Sequence, residues 1–264
     1  MCSMTNEQPC ISLEISDGIA TVIINNPRRR NCFTPEMFDQ LHEAARQIAT
    51  NKAIRVAVLR GAGDMAFSAG MDIDSIAVTD EYLANFHAGE KRMNRATDAI
   101  ASLEIPVIAG LRGACMGGGV QVAVAADFRL AADDLRFAVP AIGLGVMYPL
   151  LPIKQLVRMA GPAAVKKLMI EGGTFDAANA LALGFVEEIA PIASFDQRLA
   201  EMAATIAGHP PIVAQAYKKI VDNIVRGNDG DNPSIRIRVE KSGVLAGMIA
   251  TVAKARKAAR DAAE

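Results

Sequence analysis

Residues 112–133 read RGACMGGGVQVAVAADFRLAAD. An apolar strand runs into Gly117-Gly118-Gly119, a short helix is expected over 119–126, and FRLAA reads as the next strand. In α/β proteins ligands collect at strand ends, and glycine lets backbone N–H groups approach a ligand oxygen closely. The unpaired N–H groups and positive dipole end of a helix start favour negative charge at the same place. The first helical turn nevertheless carries Gln121, which can orient a proton-bearing group but cannot take its proton.

On either side of this stretch the pattern alternates in the same way. CISLEISDGIATVIINNP reads as two strands turned at Asp17-Gly18. TPEMFDQLHEAARQIAT has Thr34 as N-cap, Pro35 at the first helical position and apolar residues at helical spacing. The strand IRVAVLRG follows, then a helix expected over 82–103, the strand IPVIAGLRG, and, after the glycine triplet, FRLAA and RFAVP. Strands alternating with helices predict an α/β layered core. Beyond Pro149, alanine-rich helices are expected, broken at Gly161-Pro162, Gly184 and His209-Pro210-Pro211, with one long basic helix over 234–264.

A chain of 264 residues can bury a full core without metals or disulfides. Its 28 Lys+Arg against 29 Asp+Glu provide no global basic field for nucleic acid, so an anionic ligand has to be held locally. Cys2, Cys10, Cys32 and Cys115 lack metal or redox spacing and read as reduced thiols. The uncharged run from Phe137 to Ile153 is interrupted by Pro140, Pro149, Pro152, Gly143 and Gly145 and does not suit a membrane span. MCSMTNEQPC lacks the order of a signal peptide. A cytoplasmic protein with no metal, nucleic-acid or membrane partner is the expectation.

A second glycine-bearing segment, GAGDMAFSAGMDI, follows the strand IRVAVLR. Two such segments at successive strand ends can bring together a pair of amides, the arrangement that stabilises a developing oxyanion.

FSAGMDI at 67–73, IPVIAGLRGACMGGGVQVAVAADFRLAAD at 105–133, FAVPAIGLG at 137–145 and ALALGFVEEI at 180–189 together resemble the crotonase superfamily, also called the enoyl-CoA hydratase/isomerase family. The likeness runs from about residue 11 to about residue 225, with the motifs in order and at the right spacing. It implies a spiral of ββα units over 1–200 and a helical trimerisation region over 201–264, giving homotrimers or dimers of trimers. It also implies acyl-coenzyme A thioesters as substrates, with coenzyme A present as part of the substrate and no permanently bound cofactor. The thioester carbonyl would be held by the backbone N–H groups of Met71 and Gly118, within a binding set of Ser68, Ala69, Gly70, Met71, Asp72, Ile73, Gly117 and Gly118. Arg28 and Arg30, in NPRRRNCF, fall at the coenzyme A edge and would meet phosphates. Asp72 also suits the cap of a following short helix.

Hydratases of the family use two glutamates, and matching the motifs puts Gln121 and Ala141 at those positions. Neither can transfer a proton, so efficient hydration of a simple enoyl-CoA is not expected. Tyr148, in GVMYP, is a candidate for a replacement group, set against a core tyrosine with its hydroxyl satisfied. His87 and Glu90 suit a surface helix, as do Lys254, Arg256, Lys257 and Arg260. Isomerisation, thioester or carbon–carbon hydrolysis and a lyase step stay open. So does a noncatalytic acyl-CoA carrier or scaffold. A nicotinamide enzyme is the weakest reading: GAGDMA imitates G-x-G-x-x-A but should then open a helix.

Overall fold

The computed structural model describes residues 8–72, 80–228, 230 and 233–261. Strands β1 (Cys10–Ser16) and β2 (Ile19–Asn25) form the antiparallel hairpin expected at Asp17-Gly18, both residues taking the positive φ that a tight turn requires. Helix α1 (Pro35–Thr50) begins where Thr34 accepts a hydrogen bond from the Met37 amide, and it buries Met37, Phe38, Leu41, Ala44, Ala45 and Ile48 along one stripe.

The chain then repeats a two-strand, one-helix step. β3 (Val56–Gly61), β4 (Ala66–Ser68) and α2 (Asp80–Ala101) make the first; β5 (Val107–Leu111), β6 (Ala114–Met116) and α3 (Gly118–Ala123) make the second. β7 (Phe128–Ala132) and β8 (Arg136–Ala138) begin a third, which continues through α4 (Leu150–Lys166), β9 (Thr174–Asp176) and α5 (Ala177–Ala182) to β10 (Glu188–Ala190). The odd member of each pair joins a six-stranded sheet of order β1-β2-β3-β5-β7-β10, parallel from β2 onward. The other member joins a four-stranded sheet of order β4-β6-β8-β9. Each step therefore advances both sheets by one strand, and the chain winds as a spiral.

The large sheet is covered on both faces, as strands linked by crossovers require. In β3, Ala57 and Leu59 face the main core, with Phe33, Phe38, Phe67 and Phe137, while Val56 and Val58 face a second cluster with Phe195 and Leu199. β5 divides in the same way, Val107, Ala109 and Leu111 against Ile108. The second cluster is closed by α6 (Phe195–Gly208), and this first compact unit extends to Ala207. The second unit starts at Gly208 and holds α7 (Pro211–Val225), α8 (Pro233–Lys241) and α9 (Val244–Asp261).

Several expectations are corrected. IPVIAGLRG carries one strand, β5, as expected, but that strand does not run on to the glycine triplet: the chain turns at Arg112-Gly113, where the Gly113 amide donates to Asp134 at 2.9 Å and the Arg112 carbonyl accepts from Phe67 at 2.7 Å, and β6 starts anew at Ala114. The helix of residues 119–126 covers Gly118–Ala123. The long C-terminal helix is broken at Ser242-Gly243, because Gly243 takes φ 72 and Ser242 Oγ accepts from the Val244 amide. GAGDMA leads into strand β4 and opens no helix, which removes the dinucleotide reading. Cys10 is disulfide-bonded, which departs from the expectation of reduced thiols throughout; Cys2 lies outside the described residues.

Asn31 holds the start of this spiral together. Buried and at φ 57, it accepts from the Asn26 amide at 3.0 Å and donates to the carbonyls of Ala62 and Ala66 at 2.9 and 2.8 Å. Substituting Asn31→Ala leaves three buried backbone groups without partners, and a stability loss of about 3 kcal/mol is expected in urea unfolding. A change below about 0.5 kcal/mol would show that these bonds do not hold the loop.

Candidate active site

The site lies where the ends of β4 and β6 meet the start of α3. A parallel bridge joins Phe33 to Met71, with the Phe33 amide donating to Gly70 O at 2.7 Å and the Asp72 amide donating to Phe33 O at 3.2 Å. Parallel pairing uses the carbonyl before and the amide after the bridged residue, so the N–H of Met71 itself is left out of the ladder. Ser68 fixes this turn from beneath. Its hydroxyl donates to Asn31 O at 2.7 Å and accepts from the Gly70 amide at 3.1 Å, and the side chain is wholly buried. Ser68 therefore offers no hydroxyl to a ligand; it shapes the loop. The Ala69 amide donates to Arg30 O, tying the same turn to the arginine segment.

Opposite this turn stands the glycine triplet. Gly117 takes φ 49 and ψ −114, a region open to glycine alone, and its N–H donates to Ala138 O at 3.0 Å. Gly118 begins α3, so its own N–H has no helical acceptor. A Cβ placed on Gly118 would lie 3.5 Å from the Met71 nitrogen, and one on Gly119 would lie 2.5 Å from Ser68 O. The two turns thus touch backbone to backbone. Among the described residues neither the Met71 nor the Gly118 N–H is given to a backbone acceptor.

Gln121 is completely buried one turn into α3, as Gly119 and the helix start carry it inward. Its Nε2 donates to Asn94 Oδ1 at 2.8 Å and to Thr97 Oγ1 at 3.3 Å, while Oε1 has no protein partner. Asn94 and Thr97 were not singled out from the sequence. Their spacing on one face of α2 was the available signal, but nothing in it says that the face meets α3. Ala141 precedes the helical turn Ile142–Leu144, is half-buried, and packs at the edge of the main core.

Tyr148 arrives from the same segment. Its hydroxyl donates to Gly117 O at 2.8 Å, and burial, with the Cys115 thiol beside it, pushes the phenol well above its ordinary pKa. It stands as a neutral donor.

Arg28 and Arg30 are exposed in and after the short turn Pro27–Arg29. Arg29 is the arginine engaged with Asp72, at 2.8 Å, so the Asp72 carboxylate meets a cation. The segment that Asp72 was expected to cap, and Ile73, lie outside the described residues. So do the side chains of His87, Lys257 and Arg260, while Glu90 is half-buried and Lys254 and Arg256 are exposed. Among the described residues no cluster of three His, Cys, Asp or Glu could hold a metal, and no helix is long and apolar enough to cross a membrane.

Successive ββα steps that wind into two sheets are the arrangement of a known class of fold. The enoyl-CoA hydratase/isomerase family model matches residues 14–243. The chain belongs to that family, the crotonase superfamily, and its spiral is the crotonase fold. It is 29% identical over 184 residues to a crotonyl-CoA hydratase of Syntrophomonas wolfei, covering 68% of each chain. It is 30% identical over 217 residues to a hydroxycinnamoyl-CoA hydratase-lyase of Pseudomonas fluorescens, covering 79% of this chain and 76% of that one. A crystal structure of an enoyl-CoA hydratase/carnithine racemase from Magnetospirillum magneticum superposes with a TM-score of 0.78 at 33% identity, over 81% of this chain and 80% of that one.

The contact between the loops yields a test. Gly119→Ala forces a methyl group against Ser68 O, so α3 and β4 must separate; a stability loss of about 2 kcal/mol is expected. Affinity for crotonyl-CoA should fall at least about tenfold in calorimetric titration, since a displacement near 1 Å shifts the two loops. Unchanged affinity would mean that the close approach does not set them.

Proposed function

We propose that this protein binds an acyl-coenzyme A thioester with its carbonyl oxygen between the N–H groups of Met71 and Gly118, and stabilises the enolate formed there. The observation that carries the reading is that these two adjacent amides, on separate loops, are both left without backbone acceptors. Two donors placed in advance cost no reorganisation as charge develops on oxygen. Gly70, Ala69 and Gly117 hold the loops around the thioester. Arg28 and Arg30, exposed at the edge, suit the phosphates of the coenzyme.

The reaction is not efficient hydration. Gln121 is an amide already bound to Asn94 and Thr97, and Ala141 offers no polar side-chain atom. Hydration needs one group to activate water and another to protonate the α-carbon. Gln121 Oε1, buried and without a protein partner, can accept a hydrogen bond from water or a substrate donor but cannot take its proton. The same facts favour one other reading, a noncatalytic acyl-CoA carrier.

Crotonyl-CoA should accordingly be hydrated at least about 100-fold more slowly than by a member with both glutamates. Restoring them in a Gln121→Glu, Ala141→Glu double variant should raise that rate. Rapid hydration by the native protein would overturn the assignment of both positions. Mass spectrometry after near-stoichiometric incubation of acyl- and enoyl-CoA thioesters in D2O separates the enzyme from the carrier. Deuterium at the α-carbon is the expected outcome; bound but unaltered thioesters would favour the carrier.

Assembly into homotrimers or dimers of trimers is part of the same proposal. It is supported by the exposed apolar side chains of the second unit, Ile220, Val221 and Ile224 on α7 and Leu245, Met248 and Ile249 on α9. Light scattering coupled to size exclusion should give three or six chains per particle, and a monomer at micromolar concentration would refute it.

A further inference from the structure

We propose that Tyr148 is a positioning residue that sets the direction and donor strength of the Gly118 N–H through the peptide linking Gly117 to Gly118. The inference rests on the oxyanion reading above and says what tunes that site.

The Gly117 carbonyl and the Gly118 N–H are the two ends of one peptide plane, and with no cis peptide bonds recorded they point in opposite directions. Whatever grips the carbonyl from behind therefore aims the N–H in front. Two donors grip it: the Tyr148 hydroxyl at 2.8 Å and the Gln121 amide at 3.2 Å. The second is the ordinary first bond of α3 and would be made with any residue at 121. The first comes from a side chain 31 residues away, on the loop that follows Ala141.

Sterics do not fix this peptide. Gly117 has no side chain, sits at φ 49 and ψ −114, and a Cβ built there would meet nothing within 4 Å. Its plane is held by hydrogen bonds, and the Tyr148 bond closes the side that the helix does not. Donation to a carbonyl oxygen also draws electron density from the amide nitrogen, so the N–H at the other end becomes a stronger donor. The tyrosine is suited to this work because its ring is anchored against the main core and its hydroxyl stays protonated behind the site. A general base would have to present a lone pair to substrate, whereas here the proton is directed at Gly117 O.

The test reads the carbonyl that the amide would touch. Infrared difference spectra of crotonyl-CoA labelled with 13C at the carbonyl should show a shift to lower frequency on binding to the native protein. In Tyr148→Phe that shift should shrink, with affinity for coenzyme A alone unchanged within about twofold. Affinity for the labelled crotonyl-CoA should fall about 5- to 10-fold, as loss of one hydrogen bond acting through the Gly118 N–H predicts. Site-specific 3-fluorotyrosine at position 148, a more acidic phenol of nearly the same size, should enlarge the shift, and it decides the matter where the phenylalanine variant does not fold. Shifts equal to the native value in both variants would overturn the proposal. No shift in the native protein would instead overturn the oxyanion reading itself, and this inference with it.

Discussion

The contact between Ser68 O and Gly119 is the constraint on which the site depends. A strand end from one ββα step and a helix start from the next must lie backbone against backbone, with no room for a Cβ at Gly119. That approach brings the Gly118 and Met71 amides onto one point and carries Gln121 into the interior. It is possible only because the loop beneath is held rigidly from the other side, by Ser68 donating to Asn31 O and by Asn31 donating to the carbonyls of Ala62 and Ala66. A buried polar group with every bond made fixes geometry where apolar packing would tolerate sliding.

The polar residues around the site divide accordingly. Asn31, Ser68, Asn94 and Thr97 spend their hydrogen bonds on the protein's own groups, and Arg29 and Asp72 meet each other. Among the described residues around the site, the Met71 and Gly118 N–H groups have no backbone acceptor and the Oε1 of Gln121 has no protein partner. Under the proposed reading these groups suit stabilisation of negative charge better than the paired acid and base work of hydration.

Much of this was legible in the residues. The strands β3 and β5, the Thr34-Pro35 helix start and the Asp17-Gly18 turn follow from local rules and stand in the structure. The divided strands were not legible. Residues 105–116 read as one run, and the turn at Arg112-Gly113 exists because β5 before it and β6 after it pair in different sheets, a long-range fact. The Ser242-Gly243 break was missed because the alanine-rich run after it outweighed a single glycine in the reading.

At the site the same boundary holds. The sequence by itself determined which groups exist there: glycines that admit close backbone, a glutamine and an alanine that cannot take or give a proton as carboxylates would, and an apolar periodicity that demands a layered α/β core. Only the tertiary structure decided what those groups do with their hydrogen bonds. Gln121 meets Asn94 across 27 residues, Tyr148 meets Gly117 across 31, and Ser68 meets Asn31 across 37. Hydrogen bonds act over about 3 Å in space and carry no trace in local propensity or period, so partners this far apart in the chain are set by the spiral that brings the loops together.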